Sequence, residues 1–170
     1  MGIEIVSLTR EYAEKNADEI LKLDVNWTEI GDKAWDINDL FKELPNKWDL
    51  SHVALYDGNH VGYQIGCLCE TEGHLGKVYL KKILVDRSIR NMGIGKGLIT
   101  NFLEKSDYMG IERVRFRVRT DNPAVSFYDK YKFNKEDGID RTRIDGVESY
   151  FYDTPISEVL KRLKNAHQTV

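Results

Sequence analysis

The sequence predicts an α/β protein: a mixed central sheet of about seven strands, flanked by helices and folded as a single domain over residues 1–170. Three observations carry this expectation. Segments with a two-residue apolar period take turns along the chain with segments of helical period. The 170 residues are 41% hydrophobic, enough for one core without disulfides or a structural metal. No internal repeat, low-complexity stretch or linker divides the chain.

The elements follow in order. Ile3–Leu8 alternates as a strand, and Thr9 stands ready to cap a helix from Arg10 to about Val25, with Ile20, Leu21 and Leu23 near its inward stripe. Between Asn26 and Asn46, Trp27, Trp35 and Phe41 precede a Leu44-Pro45 stop, which predicts a short helix around Ile37–Glu43. These aromatics suit core packing or stacking on a substrate. Val53–Tyr56, Asp57-Gly58-Asn59 and Val61–Cys69 form a hairpin signature with a tight glycine turn. Thr71–Gly76 turns into the strand Lys77–Val85, whose apolar flanks predict a central place in the sheet. A helix over Gly93–Lys105 sets Ile94, Leu98, Ile99, Phe102 and Leu103 on one side. The strand Ile111–Arg119, a helix Pro123–Tyr131 with proline in its first turn, strands Phe133–Glu136 and Val147–Asp153, and a closing helix Ile156–Leu163 complete the order. Asp137–Gly146, polar and glycine-bounded, reads as a mobile loop.

Composition and charge narrow the function. No segment approaches 18 consecutive apolar residues, so no membrane span is expected. Met1-Gly2-Ile3-Glu4-Ile5-Val6 has neither the basic region and apolar run of a signal peptide nor a Ser or Thr at its sixth position for myristoylation, which makes a cytoplasmic location the expectation. A net charge of -3 with both signs interspersed argues against a nucleic-acid partner. Cys67 and Cys69 share one strand face and point in parallel, so they read as buried free thiols, and no partner at zinc spacing implies a metal.

Two cationic features remain. Arg113, Arg115, Arg117 and Arg119 alternate with Val114, Phe116 and Val118, which puts four guanidinium groups on one strand face. That row is either balanced by nearby acids or attracts an anionic acceptor or cofactor. Lys81 and Lys82 are adjacent in a predicted central strand, one for each face. They need a partner carboxylate or an open cleft, unless one meets an acidic acceptor.

The most telling segment is Val78–Val85 followed by Arg90-Asn91-Met92-Gly93-Ile94-Gly95-Lys96-Gly97 and a helix. Strand, glycine turn, helix is the order that makes a phosphate cradle: glycine admits the tight turn, and the first N–H groups and dipole of the helix attract an anion. A Walker A loop needs glycine where Arg90 stands and Ser or Thr where Gly97 stands; a dinucleotide fingerprint needs glycine where Leu98 stands. Both readings fail. What remains is Arg-x-x-Gly-x-Gly, five residues after Val85, and, one helix later, Phe116-x-Val118-x-x-x-Asn122, then Ala124, Tyr128 and Phe133. In these two blocks, which span about a third of the chain, the sequence resembles the GNAT superfamily of acyl-CoA-dependent N-acetyltransferases. It departs from the family pattern at Asp86-Arg87, where a proline is usual, at Asn91 and Lys132, where glycine is usual, and in an Asn122-to-Tyr128 spacing one residue short.

The resemblance implies a GNAT-like sheet and the transfer of an acetyl group from acetyl-CoA, as cosubstrate, to a primary amine of a small molecule or peptide, by direct attack in a ternary complex. It implies that the backbone of Leu84 and Val85 pairs with the pantetheine arm, and that N–H groups from Arg90, Asn91, Met92, Gly93, Ile94, Gly95 and Lys96 hold the pyrophosphate. Asn122 either bonds that arm or simply caps the following helix. Tyr128 is implied as general acid, since a phenol of pKa ~10 stays protonated at neutral pH and can donate to a thiolate whose acid has pKa ~8.5. An ammonium of pKa ~10.4 costs roughly 4–5 kcal/mol to deprotonate at neutral pH, so a base should help. The family's base is often a carboxylate on the central strand, but residues 77–85 hold none. Glu70 and Glu72, at the end of the preceding strand, are nearest in sequence; relay through water to a more distant group is the alternative. A non-catalytic acyl-CoA-binding sensor of the same fold is the competing reading. Acyl-chain length, acceptor and any homodimer stay open.

Overall fold

The protein is described by a computed structural model covering residues 2–25, 33–138, 140–144 and 146–166, with the backbone alone for 140–144. Strand β1 (Ile3–Ser7) leads into helix α1 (Arg10–Val25), whose N-terminus is capped as expected: Thr9 Oγ1 accepts the Tyr12 N–H at 3.1 Å. Helix α2 (Ile37–Phe41) starts at a capping box in which Asp36 accepts from the Asn38 and Asp39 N–H groups and Asp39 returns a bond to the Asp36 N–H. Strands β2 (His52–Tyr56) and β3 (Asn59–Leu68) join through Asp57 and Gly58, both at positive φ, as a two-residue hairpin turn requires. Strand β4 (Val78–Val85), helix α3 (Ile94–Tyr108), strand β5 (Arg113–Arg119), helix α4 (Ala124–Lys130), strands β6 (Asp140–Ile144) and β7 (Val147–Pro155) and helix α5 (Ile156–Asn165) follow.

All seven strands join one sheet in the order β1-β2-β3-β4-β5-β7-β6. Among the described residues only β4 and β5 run parallel, as a strand–helix–strand crossover through α3 demands. Helices α1 and α2 bury Ala13, Ile20, Leu23 and Leu40 against Val53, Tyr63, Ile65 and Leu84 on one face. On the other face Ile99, Phe102 and Leu103 of α3, Tyr128 of α4 and Val159 and Leu160 of α5 close over Val78, Val114, Phe116 and Tyr152. Gly66 on β3 makes that second layer possible: a Cβ there would strike the Phe102 ring and come within 2.8 Å of the Leu50 carbonyl oxygen.

Two expectations need correction. The polar segment read as a mobile loop contains β6, paired antiparallel to β7 with Ile144 opposite Val147. Its polarity marks an edge strand, which has no need of an apolar alternation to form. Conversely, Phe133–Glu136 is not a regular strand. It meets β7 through a single bridge, Lys135 to Tyr152, plus bonds from Glu136 N–H to Phe151 O (2.8 Å) and from Asp153 N–H to Asn134 O (3.0 Å). The expectation for Trp27 lies outside the described residues.

Candidate active site

The parallel pairing of β4 with β5 covers only Val78 with Val114 and Tyr79 with Arg115. Beyond that point the strands part, although β4 stays paired to β3 as far as Val85 and β5 stays paired to β7 as far as Arg119. A wedge therefore opens toward the C-terminal ends of both strands. The inner edge of β4 presents backbone donors and acceptors with no neighbouring strand, an arrangement suited to an extended chain laid alongside.

A β-bulge shapes the same edge. Gly66 pairs with Leu80 and Ile65 with Lys82, which leaves Lys81 without a counterpart on β3. Simple alternation would send the two lysines to opposite faces. With the extra residue, Lys82 and Leu84 lie on the α1 face, and Lys81 is exposed at the bulge. Lys82 finds the carboxylate its position demanded: its Nζ lies 2.8 Å from Asp24 Oδ1 and 5.0 Å from the Trp35 ring. Asp24 Oδ2 in turn accepts the Trp35 N–H at 2.8 Å and the Tyr63 O–H at 2.9 Å. Burial, and then Asp24, raise the Tyr63 phenol far above its ordinary value, so it stays a donor. Asp24, 1% exposed, is the residue sequence reasoning missed. Its signal was a carboxylate four residues after Ile20, on the inward stripe of α1.

At the open end of β4, Asp86 accepts from the Ser88 N–H (2.9 Å) and O–H (2.8 Å) and sets a short 3-10 turn over Arg87–Ile89. Asn91 (φ 66°) and Gly93 (φ 77°) then take left-handed conformations, and α3 starts with no side-chain cap. The N–H groups of Ile94 and Gly95 precede the first intrahelical bond, Gly97 N–H to Gly93 O at 2.8 Å, and so have no acceptor within the helix. A Cβ at Gly93 would meet nothing within 4 Å, and one at Gly95 only Val85 Cγ2 at 3.7 Å. The space above the turn is open, which fits a phosphate group there.

Tyr128 stands on α4, packed against Phe116 in the middle of β5. It is 3% exposed, its ring 4.6 Å from Phe116, 5.3 Å from Phe133 and 5.4 Å from Tyr152 between centroids. Burial raises its phenol well above the ordinary value. Among the described residues, none hydrogen-bonds its hydroxyl. Asn122 Oδ1 accepts the Ala124 N–H at 2.9 Å, the capping alternative. Thus Leu84, Val85 and the segment Arg90–Lys96 lie at the open end of β4, while Asn122 follows β5 and Tyr128 stands on α4. Glu70 and Glu72 lie away from the open end: both are exposed in the turn after β3, at the closed, N-terminal end of β4.

The arginine row is largely balanced by acids. Arg113 bonds Asp153 (2.7 Å), which Lys77 also meets; Arg115 bonds Glu136 (3.1 Å), and Arg119 bonds Asp121 (2.8 Å). Cys67 and Cys69 are free and buried, and burial pushes the Cys67 thiol up to about 11. Among the described residues there is no cluster of metal-ligating side chains, and no helix is long and apolar enough to cross a membrane.

A sequence model of the acetyltransferase (GNAT) family matches residues 13–133. The chain belongs to the GNAT family. No curated protein matches it. Among solved structures, Ard1 from Thermoplasma volcanium is 20% identical at a TM-score of 0.74, over 91% of this chain and 98% of that one. The PaiA N-acetyltransferase of Thermoplasma acidophilum, in complex with coenzyme A, is 19% identical at 0.66, over 91% and 99%. Arabidopsis thaliana Naa50, in complex with the bisubstrate analogue CoA-Ac-MVNAL, is 20% identical at 0.67, over 91% and 99%. At these identities the likeness speaks to the fold, the GNAT sheet with its helices. GNAT membership supports acetyl transfer and a CoA-derived cosubstrate in general terms.

Proposed function

We propose that this GNAT protein is an acetyl-CoA-dependent N-acetyltransferase acting on a primary amine, with Tyr128 as general acid. The supporting observation is the parting of the parallel strands β4 and β5 beyond Tyr79, with an uncapped glycine turn at the end of β4. Leu84 and Val85 hold the pantetheine arm, and the N–H groups from Arg90 to Lys96 hold the pyrophosphate. The amine nitrogen attacks the thioester carbon, the carbon–sulfur bond breaks, and the departing thiolate takes the Tyr128 proton. A buried phenol with a raised pKa stays protonated until a strong acceptor forms beside it, and the aromatic packing keeps its direction fixed.

The amine's proton leaves by relay through water to a more distant group, since Glu70 and Glu72 lie at the closed end of β4. With no carboxylate on β4, an α-amine is the easier acceptor: at pKa ~7.8 it costs about 1 kcal/mol to deprotonate at pH 7, against roughly 4–5 kcal/mol for a lysine. The reading extends to residues 1–170 as one acetyltransferase domain, and two reduced thiols suit a cytoplasmic setting.

Thiol release from acetyl-CoA against a panel of amines, wild type beside Tyr128→Phe, tests this. Acceptor-dependent release that falls at least tenfold in the variant, about 1.4 kcal/mol of barrier, supports the enzyme. Tight acetyl-CoA binding with no release toward any amine supports the sensor reading, which the carboxylate-free β4 favours.

A further inference from the structure

We propose that Asp24 sets the register of β4 by selecting between two adjacent lysines, and that Asp24 and Lys82 are thereby positioning residues for the coenzyme A site. The inference rests on the reading above, in which the pantetheine arm lies along Leu84 and Val85. Its starting point is that Asp24 is poorly placed for its own helix. It lies in the last turn of α1, 1% exposed, where the helix dipole opposes a carboxylate. A buried ion pair also adds little stability over two well-packed apolar side chains, and its best-attested use is to fix a register.

The carboxylate gathers groups from several elements. Lys82 of β4 lies 2.8 Å from Oδ1, and Oδ2 accepts the Tyr63 O–H of β3 and the N–H of Trp35, just ahead of α2. Ile65 pairs with Lys82 and Tyr63 with Leu84, so the pin acts on β4 immediately past the bulge. Pairing with β5 has already ended at Tyr79, two residues before Lys81. A bulge bends its strand out of regular pairing, and here the bend leaves the edge of residues 80–85 free for an extended arm.

A second register lies within reach of the same residues. Without the bulge, and with Leu80 still opposite Gly66, Lys81 falls opposite Ile65, Lys82 opposite Gln64 and Ile83 opposite Tyr63. Every side chain from 82 onward then changes face. Lys81 takes the α1 face and with it Asp24. It has little distance to travel, since it already lies within electrostatic reach of Cys67, which shares that face with Ile65. Lys82 moves to the face where Ile83 now packs into the apolar clusters of Leu98 and Ile99. An unpaired ammonium in that layer forbids the slip. Asp24 thus suits either lysine, and the charge of Lys82 decides which one it holds. The slip would also push one extra residue toward Asp86 and displace the turn before the phosphate cradle.

The test removes the charge that forbids the slip. In Lys82→Met, Lys81 gains Asp24 and the methionine suits the apolar layer, so the slipped register takes over. In Asp24→Leu/Lys82→Met, Lys81 has no carboxylate to gain and stays exposed at the bulge, so the native register holds. The full chain, isotope-labelled for NMR, reports register without any ligand: cross-strand nuclear Overhauser effects join Ile65 to residue 82 in the native pairing and to Lys81 in the slipped one. Calorimetry gives the affinity for coenzyme A. Lys82→Met should show the Ile65–Lys81 contacts and bind coenzyme A at least tenfold more weakly, which corresponds to a slipped population of about nine in ten. The double variant and Lys82→Arg should keep the native contacts and an affinity within about threefold of wild type. Trimethylamine N-oxide holds Lys82→Met folded if urea melts show it to be marginal. Native contacts alone in Lys82→Met overturn the proposal, and so does the slipped set with unchanged affinity. A double variant as impaired as the single also overturns it, because the loss would then be damage and not a choice of register. If wild type binds no coenzyme A, the acetyl-transfer reading fails by itself, and the cross-strand contacts still decide what Asp24 selects.

Discussion

Replacing either member of the Asp24–Lys82 pair should destabilise the fold far more than replacing both. Asp24 is 1% exposed and Lys82 15%, with 2.8 Å between the charged atoms, so each desolvates the other's alternative partner, water. Removing one partner of a buried ion pair typically costs about 3–5 kcal/mol. Asp24→Leu belongs at the upper end, about 4–5 kcal/mol, because it also strands the Trp35 N–H and the Tyr63 O–H. Lys82→Met belongs at the lower end, about 3 kcal/mol, since Asp24 keeps two neutral donors. The double variant has no unpaired charge and loses mainly two hydrogen bonds, about 2–3 kcal/mol, well under the sum of the singles. Urea unfolding followed by tryptophan fluorescence gives all three values. Two single losses below 1 kcal/mol that simply add would refute the reasoning, because the pair would then behave as a surface salt bridge.

Other expectations follow from particular contacts. Tyr128→Phe should leave the melting temperature nearly unchanged while activity falls, since among the described residues none hydrogen-bonds the hydroxyl that is removed; a loss above about 2 kcal/mol would show that the hydroxyl is held. Gly66→Ala should cost about 1–3 kcal/mol in denaturant melts, because the Leu50 carbonyl and the Phe102 ring cannot both give way. At Gly93, alanine must adopt φ 77°, so Gly93→Ala should cost about 1–2 kcal/mol and weaken coenzyme A binding measured by calorimetry. Lys47 is buried, donates to the carbonyls of Leu40 and Lys42, and has its pKa lowered by burial to about 8. Its folded pKa lies below the unfolded value of ~10.4, so the folded state loses its proton first. Wild type should therefore gain stability relative to Lys47→Met as pH rises from about 8 to about 10.4, and a flat difference across that window would rule this out.

Much of this was legible in the residues. Thr9, the Asp57-Gly58 turn and Gly93 announced their own local geometry, because a cap or a positive φ is decided within a few residues. Lys82 announced a need for a partner but not its identity. The β6 edge strand was hidden, since a strand at the edge of a sheet need carry no apolar period to read. Asn122 showed a residue type that suits two roles, and only the observed bond to the Ala124 N–H gives it the capping one.

The sequence by itself determined the order of strands and helices, the phosphate-cradle turn and the family, because these depend on spacings along the chain. The tertiary structure decided where β4 and β5 part, how the bulge at Lys81 re-aims its neighbour, that Asp24 serves Lys82, and which acids meet Arg113, Arg115 and Arg119. Each of those depends on how residues distant in sequence share space, and a one-dimensional period does not encode the packing of one layer on another.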